Sequence, residues 1–196
     1  MPNNLKIHTA TPENVEKHRG EFYAAQRLLN IPNLEGEVWF NINNLPNVTD
    51  IDLVFFHKER GLYLIEIKAV KIEEIEIYNK DTFKLRGDIA HITPSAQVQT
   101  ASIKLRDHLT RVIKVEKHKT KSPWIQTTVL WPLITRKEFK SNIKDSNILI
   151  ESKSMLFSDD FESADSWLNA LKRLWESPLR GPDVPTSVRG EHEGVE

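Results

Sequence analysis

The chain has 196 residues, a formal net charge of −1, 39% hydrophobic and 28% charged residues, and no cysteine. That length suits one domain, or one domain with an appendage, and the composition is ordinary for a soluble globular protein. Without cysteine there is no disulfide framework and no thiolate metal site, which agrees with a cytoplasmic protein, and the near-neutral charge means that any nucleic-acid binding needs a local patch.

Thr11-Pro12 predicts a helix start, with Thr as N-cap and Pro at the first helical position. Val15, Phe22 and Leu29 repeat at helical spacing, and Ile31-Pro32-Asn33 stops the helix. A strand is expected over 37–42, then a turn over 43–47. Two apolar strands follow in the run from Asp50 to Val70, joined by a tight connection. Ile75 and Ile77 alternate with Glu74, Glu76 and Tyr78, which predicts a half-exposed strand over 72–78.

Thr93-Pro94 opens a second helix, whose stripe is Val98, Ala101, Leu105, Leu109 and Val112. A strand is expected over 127–135, with Pro132 demoting its later half to an edge or bulge. A short strand is read at 147–150. Ser158 or Asp159 caps a last helix with Phe161, Trp167, Leu168, Leu171 and Trp175 on its apolar side. The domain is assigned to 1–177, and 178–196, rich in Pro, Gly and charge, reads as a linker or disordered tail. Helices alternating with strands predict an α/β fold with a central mixed sheet flanked by helices.

The hairpin carries the chemistry. In its second strand Leu62, Leu64, Glu66, Lys68 and Val70 share one face, and Tyr63, Ile65, Ile67 and Ala69 share the other. Both faces are apolar, so the strand is buried on both sides. A carboxylate and an ammonium there cost several kcal/mol or more unless paired or metal-bound. With the connection centred on Glu59, Phe56 faces Leu62 and Asp52 faces Glu66. Directly opposed residues have Cβ atoms about 4.5–5.5 Å apart, so the two carboxylates repel unless a cation lies between them. Hard oxygen donors favour Mg²⁺ or Mn²⁺. A two-residue turn at Glu59-Arg60 would instead put Asp52 opposite Ile67.

Asp52 followed by Glu66-Ile67-Lys68 resembles the D…(D/E)xK core of the PD-(D/E)xK nuclease superfamily. Within it the chain resembles the nuclease-related domain, NERD, over about residues 12–135. The matching parts are Glu21 in the first helix, Ile51-Asp52-Leu53-Val54, Ile65-Glu66-Ile67-Lys68, and Thr93-Pro94-Ser95-Ala96-Gln97, with Thr93 where the family usually has Asn. The resemblance implies a restriction-endonuclease-like core and a Mg²⁺- or Mn²⁺-dependent nuclease acting on DNA. Asp52, Glu66 and the Ile67 main-chain carbonyl would hold the metal, and Glu21 would reach it through a water. Lys68 and Gln97 would complete the catalytic set. It also implies helicase or kinase modules as possible neighbours in a larger architecture.

Each assignment has a plainer counterpart. Asp50, two positions before Asp52, could serve in its place or merely start the strand. Gln97 lies in the apolar stripe and either orients Lys68 or a water, or bonds backbone; Gln99 is read as solvated. Glu21 could be a surface residue. Arg111 to Lys121 holds five Lys or Arg against one Glu, which suits a solvated helix end or a phosphate contact. Asp52, Glu66 and Lys68 could form only a buried ion network, or the fold could be a silent adaptor for nucleic acid or protein. No zinc-like His pairing, P-loop, GxGxxG or GxSxG is present. No apolar run reaches the roughly 20 residues of a membrane span, and the N-terminus is not a signal peptide, so no membrane role is expected.

Overall fold

The computed structural model describes residues 4–9, 19–42, 50–115 and 124–176. The expected helix start at Thr11-Pro12, the turn at 43–47, the later part of the basic run and the tail at 178–196 lie outside these residues.

Six strands form one mixed sheet. They are β1 (Asn4–Thr9), β2 (Glu35–Ile42), β3 (Ile51–His57), β4 (Gly61–Ile67), β7 (Ile125–Trp131) and β8 (Leu156–Phe157), in the order β1-β2-β3-β4-β7-β8. β2, β3 and β4 are antiparallel neighbours; β1 joins β2, β7 joins β4 and β8 joins β7 in parallel. β5 (Ile75–Tyr78) and β6 (Phe83–Leu85) make a separate two-stranded ribbon. The chain is therefore α/β, a central mixed sheet flanked by helices.

Each face of the sheet has its own core. Helices α1 (Arg19–Leu29) and α5 (Ala164–Glu176) cover one face, with Ala24, Leu28, Trp167, Ala170, Leu171 and Leu174 against Phe55, Tyr63 and Ile65. On the other face α2 (Pro94–Val115) lays Val98, Ala101 and Leu105 over Val54, Leu64 and Val129. β4 is thus buried on both sides, as its two apolar faces require. Each fully buried Leu or Ile there contributes about 1.5–3 kcal/mol, which fixes the strand that carries Glu66.

The α1 stop, the β2–β4 meander and the α2 start fall close to the sequence expectation. Other elements differ. Residues 147–150 are not a strand but part of helix α4 (Ser146–Glu151), because Asp145 caps it by accepting from the N–H groups of Asn147 and Ile148. Ile148 is fully buried while Ile150 is 64% exposed, a helical division of the apolar run. Neither Ser158 nor Asp159 caps α5. They form a short 3₁₀ turn, and Ser163 accepts from the Ser166 N–H at the true start.

β7 ends at Trp131, just before Pro132, and it is an interior strand rather than an edge. A 3₁₀ turn occupies Ile72–Glu74, and a bulge in β5 turns Tyr78 inward with Phe83 and Trp131 while Ile77 stays largely exposed. The α2 stripe closes before Val112, which is exposed. β1, β6, β8 and α3 (Arg136–Asn142) were not anticipated. Among the described residues no helix is long and apolar enough to cross a membrane.

Candidate active site

A three-residue loop, Lys58-Glu59-Arg60, joins β3 to β4, and the pairs run Phe56 with Leu62, Phe55 with Tyr63, Val54 with Leu64 and Leu53 with Ile65. The connection is therefore centred on Glu59. Carried one step beyond the last pair, the same register sets Asp52 across from Glu66. By strand alternation both lie on the face that α2 covers. Asp50 is exposed and precedes β3.

Beyond Leu53 and Ile65, hydrogen bonding changes hands. Ile67 N–H donates to Asp52 Oδ2 at 2.7 Å, while Lys68 N–H donates to the Leu130 carbonyl of β7 at 2.9 Å. Lys68 is thus held at the sheet although β4 ends at Ile67. Its Nζ meets Glu66 Oε1 at 2.7 Å, with both side chains mostly buried. Burial and the nearby Glu66 carboxylate push the Asp52 carboxyl up to about 7; the Ile67 N–H and Lys68 oppose this, and Glu21 adds to it.

Glu21 comes from the other face of the sheet. Gly20 lets the start of α1 approach, since a Cβ there would stand 3.0 Å from Ala69 Cβ and 3.4 Å from Ile67 Cγ2. Its charge is consequently felt at Asp52. Gly20 and Leu130 were not singled out in the sequence. A glycine inside a helical pattern is the available sign of such an approach, whereas nothing local marks Leu130.

Gln97 stands on the first turn of α2, its N–H donating to the Thr93 carbonyl at 3.0 Å. Thr93 Oγ1 accepts from the Ala96 N–H at 3.3 Å, so Thr93 caps the start of α2. Gln97 Oε1 is buried without a hydrogen-bond partner, and no hydrogen bond joins it to Lys68 or Glu66. Gln99 is not solvated: both its amide atoms are buried without partners. The structure thus brings Asp52, Glu66 and Lys68 together, sets Glu21 within electrostatic reach, and leaves Gln97 on the covering helix.

Among the described residues no three His, Asp or Glu side chains gather closely enough to hold a metal by themselves. The donor set still fits a small hard cation. Mg²⁺ commonly takes one or two carboxylates and keeps several waters. Asp52 and Glu66 each use one oxygen in the bonds above, and their second oxygens, Oδ1 and Oε2, accept no hydrogen bond among the described residues.

No curated protein and no solved structure gives a significant match to the chain. A family match covers residues 16–132, from the start of α1 past the end of β7, and so spans every residue of the site. That family has a PD-(D/E)xK-like fold, members of which generally use divalent metals. With the acidic pair, the lysine and strands β2, β3, β4 and β7 on one continuous match, the chain belongs to the nuclease-related domain (NERD) family.

Proposed function

We propose that this domain is a divalent-metal-dependent nuclease hydrolysing phosphodiester bonds in DNA. The observation that carries this reading is the Asp52–Glu66 opposition at the end of the paired β3–β4 ladder, with Lys68 just past the end of β4 and paired to Glu66. Asp52 Oδ1 and Glu66 Oε2 would hold Mg²⁺ or Mn²⁺, with the Ile67 carbonyl as a further oxygen donor and Glu21 acting through a water. Such a cation supplies a more acidic water and neutralises charge on the scissile phosphate.

The chain's own residues do the rest. Asp52, with its carboxyl raised to about 7, is poised to lose a proton when a cation arrives. Lys68 Nζ, 2.7 Å from Glu66, would orient the attacking water or stabilise the charge that develops on the phosphate. Gln97, with its unsatisfied Oε1, is assigned to position Lys68 or that water. Incubating the protein with supercoiled plasmid and single-stranded DNA should give cleavage in Mn²⁺ or Mg²⁺ and none in EDTA.

One observation favours a second reading. Glu66 Oε1 is paired to Lys68 and Asp52 Oδ2 to the Ile67 N–H, so each carboxylate has a partner within the protein, as in a module that keeps the fold and binds nucleic acid or protein without cutting. Binding in the absence of cleavage under every divalent metal would select it.

A further inference from the structure

At the hairpin end of the sheet, away from Asp52 and Glu66, two tryptophans lie stacked on the surface. The Trp124 and Trp175 ring centroids are 6.1 Å apart with 28° between planes, and the residues are 60% and 39% exposed. Neither ring is loose. Trp175 Nε1 donates to the Arg60 carbonyl at 3.0 Å and to Tyr63 Oη at 2.6 Å. Trp124 Nε1 donates to Gln126 Oε1 at 3.4 Å, and Gln126 Nε2 donates in turn to the Leu174 carbonyl at 2.7 Å. Gly61, at φ +86°, gives Trp175 its seat, since a Cβ there would stand 3.2 Å from Cζ2. Both indole donors are turned inward, and ring carbon faces the water. Fixed, exposed aromatic faces are a feature of binding surfaces.

Two cations flank the pair. Arg60 and Lys172 stand beside Glu59 and Glu176 on the hairpin loop and the helix end, while Lys58 of the same loop is paired to Glu35 at 3.8 Å. Arg60 Nε is buried with no acceptor, and Lys172 is exposed one turn before Trp175. In sequence, the segment leading into Trp124 carries Lys117, Lys119 and Lys121 against Glu116. Aromatic faces flanked by cations match the two chemistries of a single strand, a stackable base and a phosphate backbone.

We propose that Trp124 and Trp175 form a stacking platform for the bases of single-stranded nucleic acid, with Arg60 and Lys172 as cations for its backbone. Every base has a π face, so the platform is tolerant of sequence. Along β4, Gly61 and Glu66 are about 16 Å apart at the usual strand rise, so the platform holds a strand without touching the reacting atoms. The inference rests on the nucleic-acid part of the function proposed above and not on hydrolysis.

The test is the fluorescence anisotropy of a labelled oligo-dT titrated with protein in EDTA, where cleavage is silent. Wild type should bind, more weakly as salt rises. Trp124→Ala, with its fold verified by circular dichroism, should bind roughly tenfold or more weakly, and Trp124→Phe within a few-fold of wild type. Binding by a wild type that is inert toward DNA in every divalent metal would refute the nuclease reading and leave the platform standing. No binding by wild type, or equal binding by Trp124→Ala, would overturn the platform. So would a dimer that Trp124→Ala dissolves, since the patch would then be a protein interface.

Discussion

Asp52 Oδ2 takes the Ile67 N–H at 2.7 Å, one step past the last β3–β4 pair. A side chain thereby replaces a backbone partner where the two strands stop pairing, and the carboxylate is drawn toward Glu66. The same bond favours the ionised form, yet burial and Glu66 outweigh it and hold the carboxyl near 7.

That balance gives a pH dependence with a definite sign. The folded-state value, about 7, lies above the ordinary aspartate value of 3.8, so the folded protein binds the extra proton between them. Stability from this group is full below about pH 4 and is lost as pH rises through 7. In EDTA, wild type should lose several degrees of melting temperature between pH 5 and pH 8. Asp52→Asn, which keeps an acceptor for Ile67 and removes the charge, should melt several degrees above wild type at pH 8 and level with it near pH 4. An equal gap at both pH values would show that Asp52 is not desolvated.

Divalent metal should act through the same carboxylates. Millimolar Mg²⁺ or Mn²⁺ should raise the wild-type melting temperature by an amount equivalent to about 1–3 kcal/mol, following the usual ligand linkage. Asp52→Asn and Glu66→Gln should each lose most of that response. A shift of equal size in both variants would place the metal elsewhere.

The hairpin was legible because its apolar residues occupy both faces, but its register was open between two turn lengths until the three-residue loop set Phe56 against Leu62. The start of α2 was legible because Thr93-Pro94 is a capping pair. Helix α4 was not, since four residues, Asn147 to Ile150, are too few to separate a period of 3.6 from one of 2. Its cap, Asp145, was the unused signal. The burial of Gln99 depends on what packs against α2, which no local pattern reveals. Strand alternation put Glu66 and Lys68 on one face, while the choice of Asp52 over Asp50 on the facing strand needed the register and the family resemblance as well. The reach of Glu21 depends on the close approach at Gly20, a tertiary contact.

Asp145 offers a direct check on that correction. Its side chain accepts from two N–H groups of α4, so Asp145→Ala should cost about 1 kcal/mol, as lost N-caps do. Denaturant unfolding measures it. No loss would mean that the cap is dispensable to the helix.

The central claim is that Lys68 is part of a working site and not merely the counter-ion of Glu66. It is tested most directly by measuring DNA cleavage in Mn²⁺ and unfolding side by side for wild type and Lys68→Ala. Loss of a charge-stabilising donor in such a site is typically worth about 2.7–4 kcal/mol of transition-state stabilisation, or about 10²–10³ in rate. Wild type should cleave, Lys68→Ala should fall by that factor, and bound metal should keep the variant's stability near that of wild type. A wild type inert in every divalent metal, with Lys68→Ala destabilised by about 3–5 kcal/mol as when a buried pair is broken, would contradict the claim and leave the lysine a structural partner of Glu66.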